Sequence, residues 1–385
     1  MLPRLGVLTS RERGSMSLSR RIAFLVWRDT LHPEGGGSEV FVERTATWLA
    51  SQGHDVTIAC AAHRNAPRDE IRDGVRFRRR GGRLTVYPHG LAYLLSPRGR
   101  RTDVVVDVQN GLPFFASLVR RRGVVTLVHH VHREQWQLIY PGWRGHLGWW
   151  LESRVAPRLF RGRYVTVSDA SRADLVGLGI DRARIRVVHN GLDIPQPLPA
   201  VPRSAGPTIC VLGRLVPHKR VEHALEVAAR LRRTVIDLRV EVIGDGWWRQ
   251  ELERHARDLG VADIVRFHGH VSETQRGRIL DQSWILLAPS VKEGWGIAIM
   301  EAAARGVPAV AYRTAGGVRE SIIDGETGKL VDDLDELTKA ADELLADASI
   351  RERMGAAASE RAAEYNWVSA ARRFAEVLAI DQRLP

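Results

Sequence analysis

Two glutamates eight residues apart, Glu293 and Glu301, enclose Gly294-Trp295-Gly296-Ile297. A carboxylate accepts two hydrogen bonds in fixed geometry and is a natural partner for neighbouring hydroxyls. The glycines allow a ligand to approach the backbone, and helical spacing from Ile297 to Arg305 puts a helix N-terminus beside them. Free N–H donors and a partial positive charge at that end suit a phosphate. The stretch thus fits a sugar at Glu293 and a ribose at Glu301. The same pattern is also that of a solvated loop and helix, so its neighbours must decide.

Four other stretches carry chemistry. Gly35-Gly36-Gly37 follows a strand at Ile22–Val26 and precedes a helix with Val40, Phe41, Arg44, Trp48 and Leu49 on one side. Gly213-Arg214-Leu215 and Lys219 follow a strand at Ile209–Leu212, and Gly244-Asp245-Gly246 follows one at Leu238–Ile243. His129-His130-Val131-His132 follows the strand Val124–Val128. Positions i, i+1 and i+3 do not place three imidazoles on one metal, and no cysteine or carboxylate cluster completes a set, so no metal site is expected. One histidine facing the crevice is the simpler reading. Asp333-Leu334-Asp335 has metal–diphosphate spacing but stands just before a helix read at Leu337–Leu345, where acids serve as caps.

The elements that position these groups alternate strand and helix twice over. A first series runs to Arg186-Val187-Val188 and a second restarts at Ile209. Pro195, Pro197, Pro199, Pro202 and Pro207 read as a stiff joint between them. The fold class is therefore α/β, with two Rossmann-like, doubly wound domains facing across a cleft. The expected division is 1–195 and 196–369, with a C-terminal helix at 370–385 (read at Ala370–Leu378) packing back on the first domain. Ligands bind beyond the carboxyl ends of such strands, where all these motifs lie.

Composition narrows the partners. Among 385 residues, 44% are hydrophobic and the net charge is +12. No apolar run reaches membrane-spanning length and no signal peptide shows, which points to the cytoplasm. Translation from Met16 is an alternative start, because the preceding residues have no periodic pattern. Cys60 and Cys210 sit in apolar strands and read as buried thiols. The first 195 residues hold 31 arginines and no lysine, and the basic excess is concentrated there. That asymmetry suggests an anionic partner, unless it reflects base content alone. Trp143, Trp149 and Trp150 beside Arg144, Arg154, Arg158 and Arg161 would serve either an internal packing role or a peripheral contact with an anionic membrane surface. No nucleic-acid module is recognisable.

With these residues in view, the chain from about Arg21 onward resembles the retaining nucleotide-sugar glycosyltransferases of family GT4, which have the GT-B fold. Five motifs occur in the family's order: Gly36-Gly37, the His129 strand end, Gly213-Arg214-Leu215 with Lys219, Gly244-Asp245-Gly246, and Glu293 to Glu301. The resemblance implies a nucleoside-diphosphate hexose as donor, GDP-mannose or a UDP-hexose, and an acceptor not identified by sequence. By similarity, Glu301 would bind the ribose and Glu293 the sugar, with Gly294, Trp295 and the amides of Gly296 and Ile297 around it. Arg214 and Lys219 would neutralise the diphosphate in place of a metal. Gly36 and Gly37 would close over the phosphates, Gly213 and Gly244 would border the donor, and the segment at His270-Val271 would meet the base. His129 would face the sugar's C6 hydroxyl, with His130 as the one-position alternative. The implied reaction is front-side transfer with no cofactor and no protein general base. Competing readings are a nucleotide-sugar epimerase and a non-catalytic, transferase-like binding subunit; the intact Lys219 and Glu293 favour transfer.

Overall fold

The computed structural model describes residues 19–193 and 202–378. The first half is built on β1 (Arg21–Leu25), β2 (Asp55–Cys60), β3 (Asp69–Arg72), β4 (Val75–Arg79), β5 (Val104–Gln109), β6 (Val124–Val128), β7 (Arg163–Thr166) and β8 (Ile185–Val187). They form one sheet in the order β3-β4-β2-β1-β5-β6-β7-β8, parallel except for the β3/β4 hairpin. The second half holds β9 (Thr208–Leu212), β10 (Arg239–Ile243), β11 (Val265–Gly269), β12 (Ile285–Ala288), β13 (Ala309–Tyr312) and β14 (Gly328–Val331). These make an all-parallel sheet in the order β11-β10-β9-β12-β13-β14. Strands such as Val104–Gln109 are nearly continuously apolar because helices cover both faces of a parallel sheet.

Strand order reverses direction beside β1 in the first sheet and beside β9 in the second, creating a crevice at each set of carboxyl ends. The Gly36-Gly37 loop leaves the first switch point, and the Gly213-Arg214 and Glu293 loops leave the second. The helix after the glycine loop, Gly37–Ser51, buries Phe41, Val42, Thr45, Ala46 and Leu49. Arg44, expected on that inner face, points outward and pairs with Asp193 at 2.7 Å.

The last helix, Trp367–Val377, packs against the helix Gly37–Ser51, with Phe374 in ring contact with Phe24 and Phe41. A single apolar cluster joins first-half residues such as Phe41 and Val165 to Trp295, Met300 and Phe374. Cys60 and Cys210 are buried and unpaired, and burial pushes both thiols well up. Asp333 caps the helix Leu334–Ala346, its carboxylate accepting from the Glu336 amide at 2.9 Å. The expected joint from Pro195 to Pro199, the early start region, the proposed 195/196 boundary and the chain beyond Leu378 lie outside the described residues.

Candidate active site

Loops from both sheets enclose a cavity of about 630 Å³, a size suited to a small-molecule ligand. From the first half it is bordered by Gly36, Gly37, His129 and His130, and from the second by Arg214, Lys219, Glu293 and Glu301. Gly213, Gly244, His270, Gly294, Trp295, Gly296 and Ile297 also border it. Val271 does not line it and packs instead against the apolar cluster that holds Ile243, Leu286 and Ala311.

The charged centre is compact. Lys219 Nζ donates to Glu293 Oε1 at 2.6 Å, and Ser290 Oγ donates to the same oxygen at 2.7 Å. Burial alone would raise the Glu293 carboxyl, but Lys219 and Ser290 outweigh it and hold the group below the usual glutamate range. Arg214 is half-buried; burial lowers its pKa, as does the nearby Arg28, against the fields of Glu39, Glu34 and Glu293. On the same cavity, Glu301 Oε2 lies 3.2 Å from Arg276 Nε. Burial raises the Glu301 carboxyl despite that cation. Lys219 and Arg214 make a cationic floor on the cavity that Glu293 and Glu301 also border, an arrangement able to hold a diphosphate beside hydroxyl-binding carboxylates.

The first half meets this floor through backbone. A Cβ added at Gly37 would lie 3.3 Å from Ile297 Cγ2, and one at Gly294 would lie 2.7 Å from the His129 carbonyl oxygen. The Gly36 amide donates to Glu39 Oε2 at 2.8 Å, and Arg28 Nε donates to Glu39 Oε1 at 3.1 Å. Glu39 is fully buried, so an ion pair beneath the glycine loop sets its position. The sequence signal was a glutamate three residues after Gly36, which reads as an ordinary first-turn acid.

The three histidines have separate surroundings. His129 lies edge-on to Phe41, and neither ring nitrogen has a partner among the described residues. Burial lowers its pKa to about 4. His130 Nε2 is 3.1 Å from Gln135 Oε1, and His132 Nδ1 is 3.2 Å from Glu152. His218, which sequence reasoning passed over, borders the same cavity with its buried Nδ1 unpartnered; burial, Lys219 and Arg214 lower its pKa to about 3. The Trp295 ring is turned into the interior between Tyr365 and His189, with centroids at 4.9 and 6.0 Å.

Two contacts between the halves were also not foreseen. Lys292 Nζ reaches Asp174 Oδ2 at 2.6 Å, and Glu320 accepts from the Ala170 amide while contacting His189 Nε2, both at 3.0 Å. In sequence these are isolated charges, and only the facing of the two sheets pairs them.

Known proteins share this fold and the order of its two halves along the chain. Residues 36–191 match the family model described as glycosyl transferase 4-like domain, and residues 200–361 match glycosyl transferases group 1. A GDP-mannose-dependent alpha-(1-6)-phosphatidylinositol monomannoside mannosyltransferase from Mycolicibacterium smegmatis is 35% identical over 183 residues, 45% of this chain and 48% of its own. An MMP alpha-(1->4)-mannosyltransferase from Mycolicibacterium hassiacum is 31% identical over 238 residues, 60% of this chain and 56% of its own. The chain spans about half the length of the curated relatives it matches. Among solved structures, sucrose-phosphate synthase from Thermosynechococcus elongatus superposes with a TM-score of 0.80 at 19% identity, covering 93% of this chain and 98% of that one. WaaG, a glycosyltransferase involved in lipopolysaccharide biosynthesis, gives 0.75 at 17% identity, covering 93% and 99%. Anabaena HepE in complex with UDP-glucose gives 0.71 at 18% identity, with the same coverage. Two sheets facing across a shared cavity, with both family models matched in order, place the chain in the GT4 family of GT-B glycosyltransferases.

Proposed function

We propose that this chain moves a hexose from a nucleoside-diphosphate sugar to an acceptor hydroxyl, retaining the anomeric configuration. Arg214 and Lys219 take the diphosphate and stabilise the charge that grows on it as the glycosidic bond breaks. The acceptor attacks from the face the diphosphate leaves, and its proton passes to the departing phosphate oxygen. No protein base and no metal enters this scheme. Glu293 orients the hexose, Glu301 the ribose, and His129 hydrogen-bonds the C6 hydroxyl as a neutral imidazole.

The observation that carries this reading is the Lys219–Glu293 pair at 2.6 Å, on one cavity with Arg214 and Glu301. A donor offers each group a matching partner: phosphate for the cations, hydroxyls for the carboxylates. His129 is favoured over His130 because its two ring nitrogens are unpartnered among the described residues, whereas His130 is engaged by Gln135. One named relative is GDP-mannose-dependent and a solved neighbour is in complex with UDP-glucose, so these two donors head the test.

The full chain, stripped of metal with a chelator, should be stabilised against heat by one of these donors and should slowly hydrolyse it. Glu301→Ala should abolish the shift. Absence of any shift or hydrolysis across GDP- and UDP-hexoses would overturn transfer in favour of a transferase-like binding subunit.

A further inference from the structure

The helix Trp143–Trp150 is amphipathic in an inverted sense. Its buried residues are Gly145 and Gly148, while Trp143, Leu147 and Trp150 are 71%, 45% and 53% exposed. Positions i, i+4 and i+7 share one face of a helix. The glycines fix this orientation: a Cβ at Gly148 would lie 2.4 Å from the Trp136 ring, and one at Gly145 would lie 2.3 Å from the Tyr140 carbonyl oxygen. Large apolar side chains therefore have only the outer face, where burial gives no stability to the fold. Leu159, 38% exposed, stands further along the same helical run, past the π-helical segment Leu151–Val155.

The charge around this strip has one sign. Between residues 141 and 163 stand Arg144, Arg154, Arg158, Arg161 and Arg163, all exposed. The one acid in that stretch, Glu152, is turned inward and accepts from Trp136 Nε1 at 2.6 Å. Among the described residues Arg144, Arg154, Arg158 and Arg161 have no carboxylate partner within ion-pair distance. Trp149, by contrast, is half-buried with the Arg133 guanidinium over its ring, so the exposed pair is Trp143 and Trp150.

We propose that this face docks on an anionic lipid bilayer, with Trp143, Leu147 and Trp150 entering the headgroup region and the arginines on lipid phosphates. Exposed tryptophan and leucine beside unpaired arginines match both components of such an interface, apolar and anionic. A second copy of this chain is a poorer occupant, because two-fold pairing would set the arginine rim against itself. The adjoining helix, Arg133–Ile139, supports the docking helix through Trp136 and borders the cavity through Gln135. The proposed surface is thus one helix removed from the candidate active site, and it stands whether or not the donor assignment holds.

The test is co-sedimentation of the full chain with phosphatidylcholine vesicles, with and without phosphatidylglycerol. The chain should sediment with the anionic vesicles, and less so as salt rises. Trp143→Ser with Trp150→Ser should weaken that binding about tenfold or more, and each of Arg144→Gln and Arg158→Gln about fivefold. Thermal unfolding should stay unchanged in all of them, since these side chains are exposed. No sedimentation of the unaltered chain, or equal sedimentation of the tryptophan variant, would overturn the proposal. So would a dimer in solution that the tryptophan variant dissolves without any vesicle binding, which would assign the face to self-association.

Discussion

Lys219 and Glu293 satisfy each other at 2.6 Å, and each is at most 20% exposed. In the proposed reaction the diphosphate must draw Lys219 towards itself, leaving Glu293 to the sugar hydroxyls. Lys219→Ala should therefore lower kcat by about 100-fold or more while the melting temperature changes little, as read by donor turnover and calorimetry. Equal loss of both would place the lysine in the fold instead. His129 makes a second, independent prediction. Its folded pKa, about 4, lies below the ordinary histidine value of 6.5 because burial disfavours the charged ring. The unfolded chain then binds the extra proton first as pH falls from 6.5, so stability is lost on acidification. His129→Phe, which keeps an aromatic edge on Phe41, should flatten this slope, recovering on the order of 1–3 kcal/mol of the difference between pH 7 and 5 in paired urea titrations. Lys219, Glu293 and His129 were legible because each stands in a loop that follows the carboxyl end of a strand, Glu293 directly before a glycine. Glu39 was not, since only the Arg28 contact across the fold turns a first-turn acid into a buried support.

Glycine contacts govern the elements around the site. The helix Trp143–Trp150 rests on the helix Arg133–Ile139 through Gly145 and Gly148. Gly148→Ala would push against the Trp136 ring and should cost about 1–3 kcal/mol, measured by denaturant titration, while disturbing Gln135 at the cavity. Most parallel strands were legible because their apolar runs end in glycine or polar turns; Val124–Val128 matches residue for residue. Val75–Arg78 reads as a strand and forms β4, but its hairpin partner β3 was not legible, although Asp73-Gly74 carries the turn signal, both residues having positive φ. Arg79, at the end of β4, is fully buried on Asp29 at 2.6 Å, a charge that no periodicity places inside. The helix Val86–Leu95 was hidden between Arg83 and Arg98, and Ala348–Ala363 in an alanine-rich segment with a weak apolar stripe.

Across the whole molecule, the two halves are held face to face by Lys292–Asp174, by Glu320 with His189 and Ala170, and by the close approach of Gly294 to His129. Asp174→Asn combined with Glu320→Gln should enlarge the radius of gyration in small-angle scattering, and a bound donor should reverse the change. An unaltered radius would show that the apolar cluster through Trp295 closes the cleft by itself. The general arrangement of two sheets was legible because strand and helix alternate twice. The pairing of charges between them was not, because it depends on where each loop stands after the sheets face one another.

The final helix has a further consequence. Residues Trp367–Val377 follow the second sheet in sequence yet lie in the packing of the first, and the Leu192 amide donates to the Tyr365 carbonyl where the chain crosses back. The two halves are thus interlocked pieces, one lending its tail to the other. A chain severed between residues 193 and 202 would yield fragments that stay associated, the second fragment acting as a plug in the first. The protein is built as a natural split pair, with its complementation surface already supplied by Phe374 against Phe24 and Phe41.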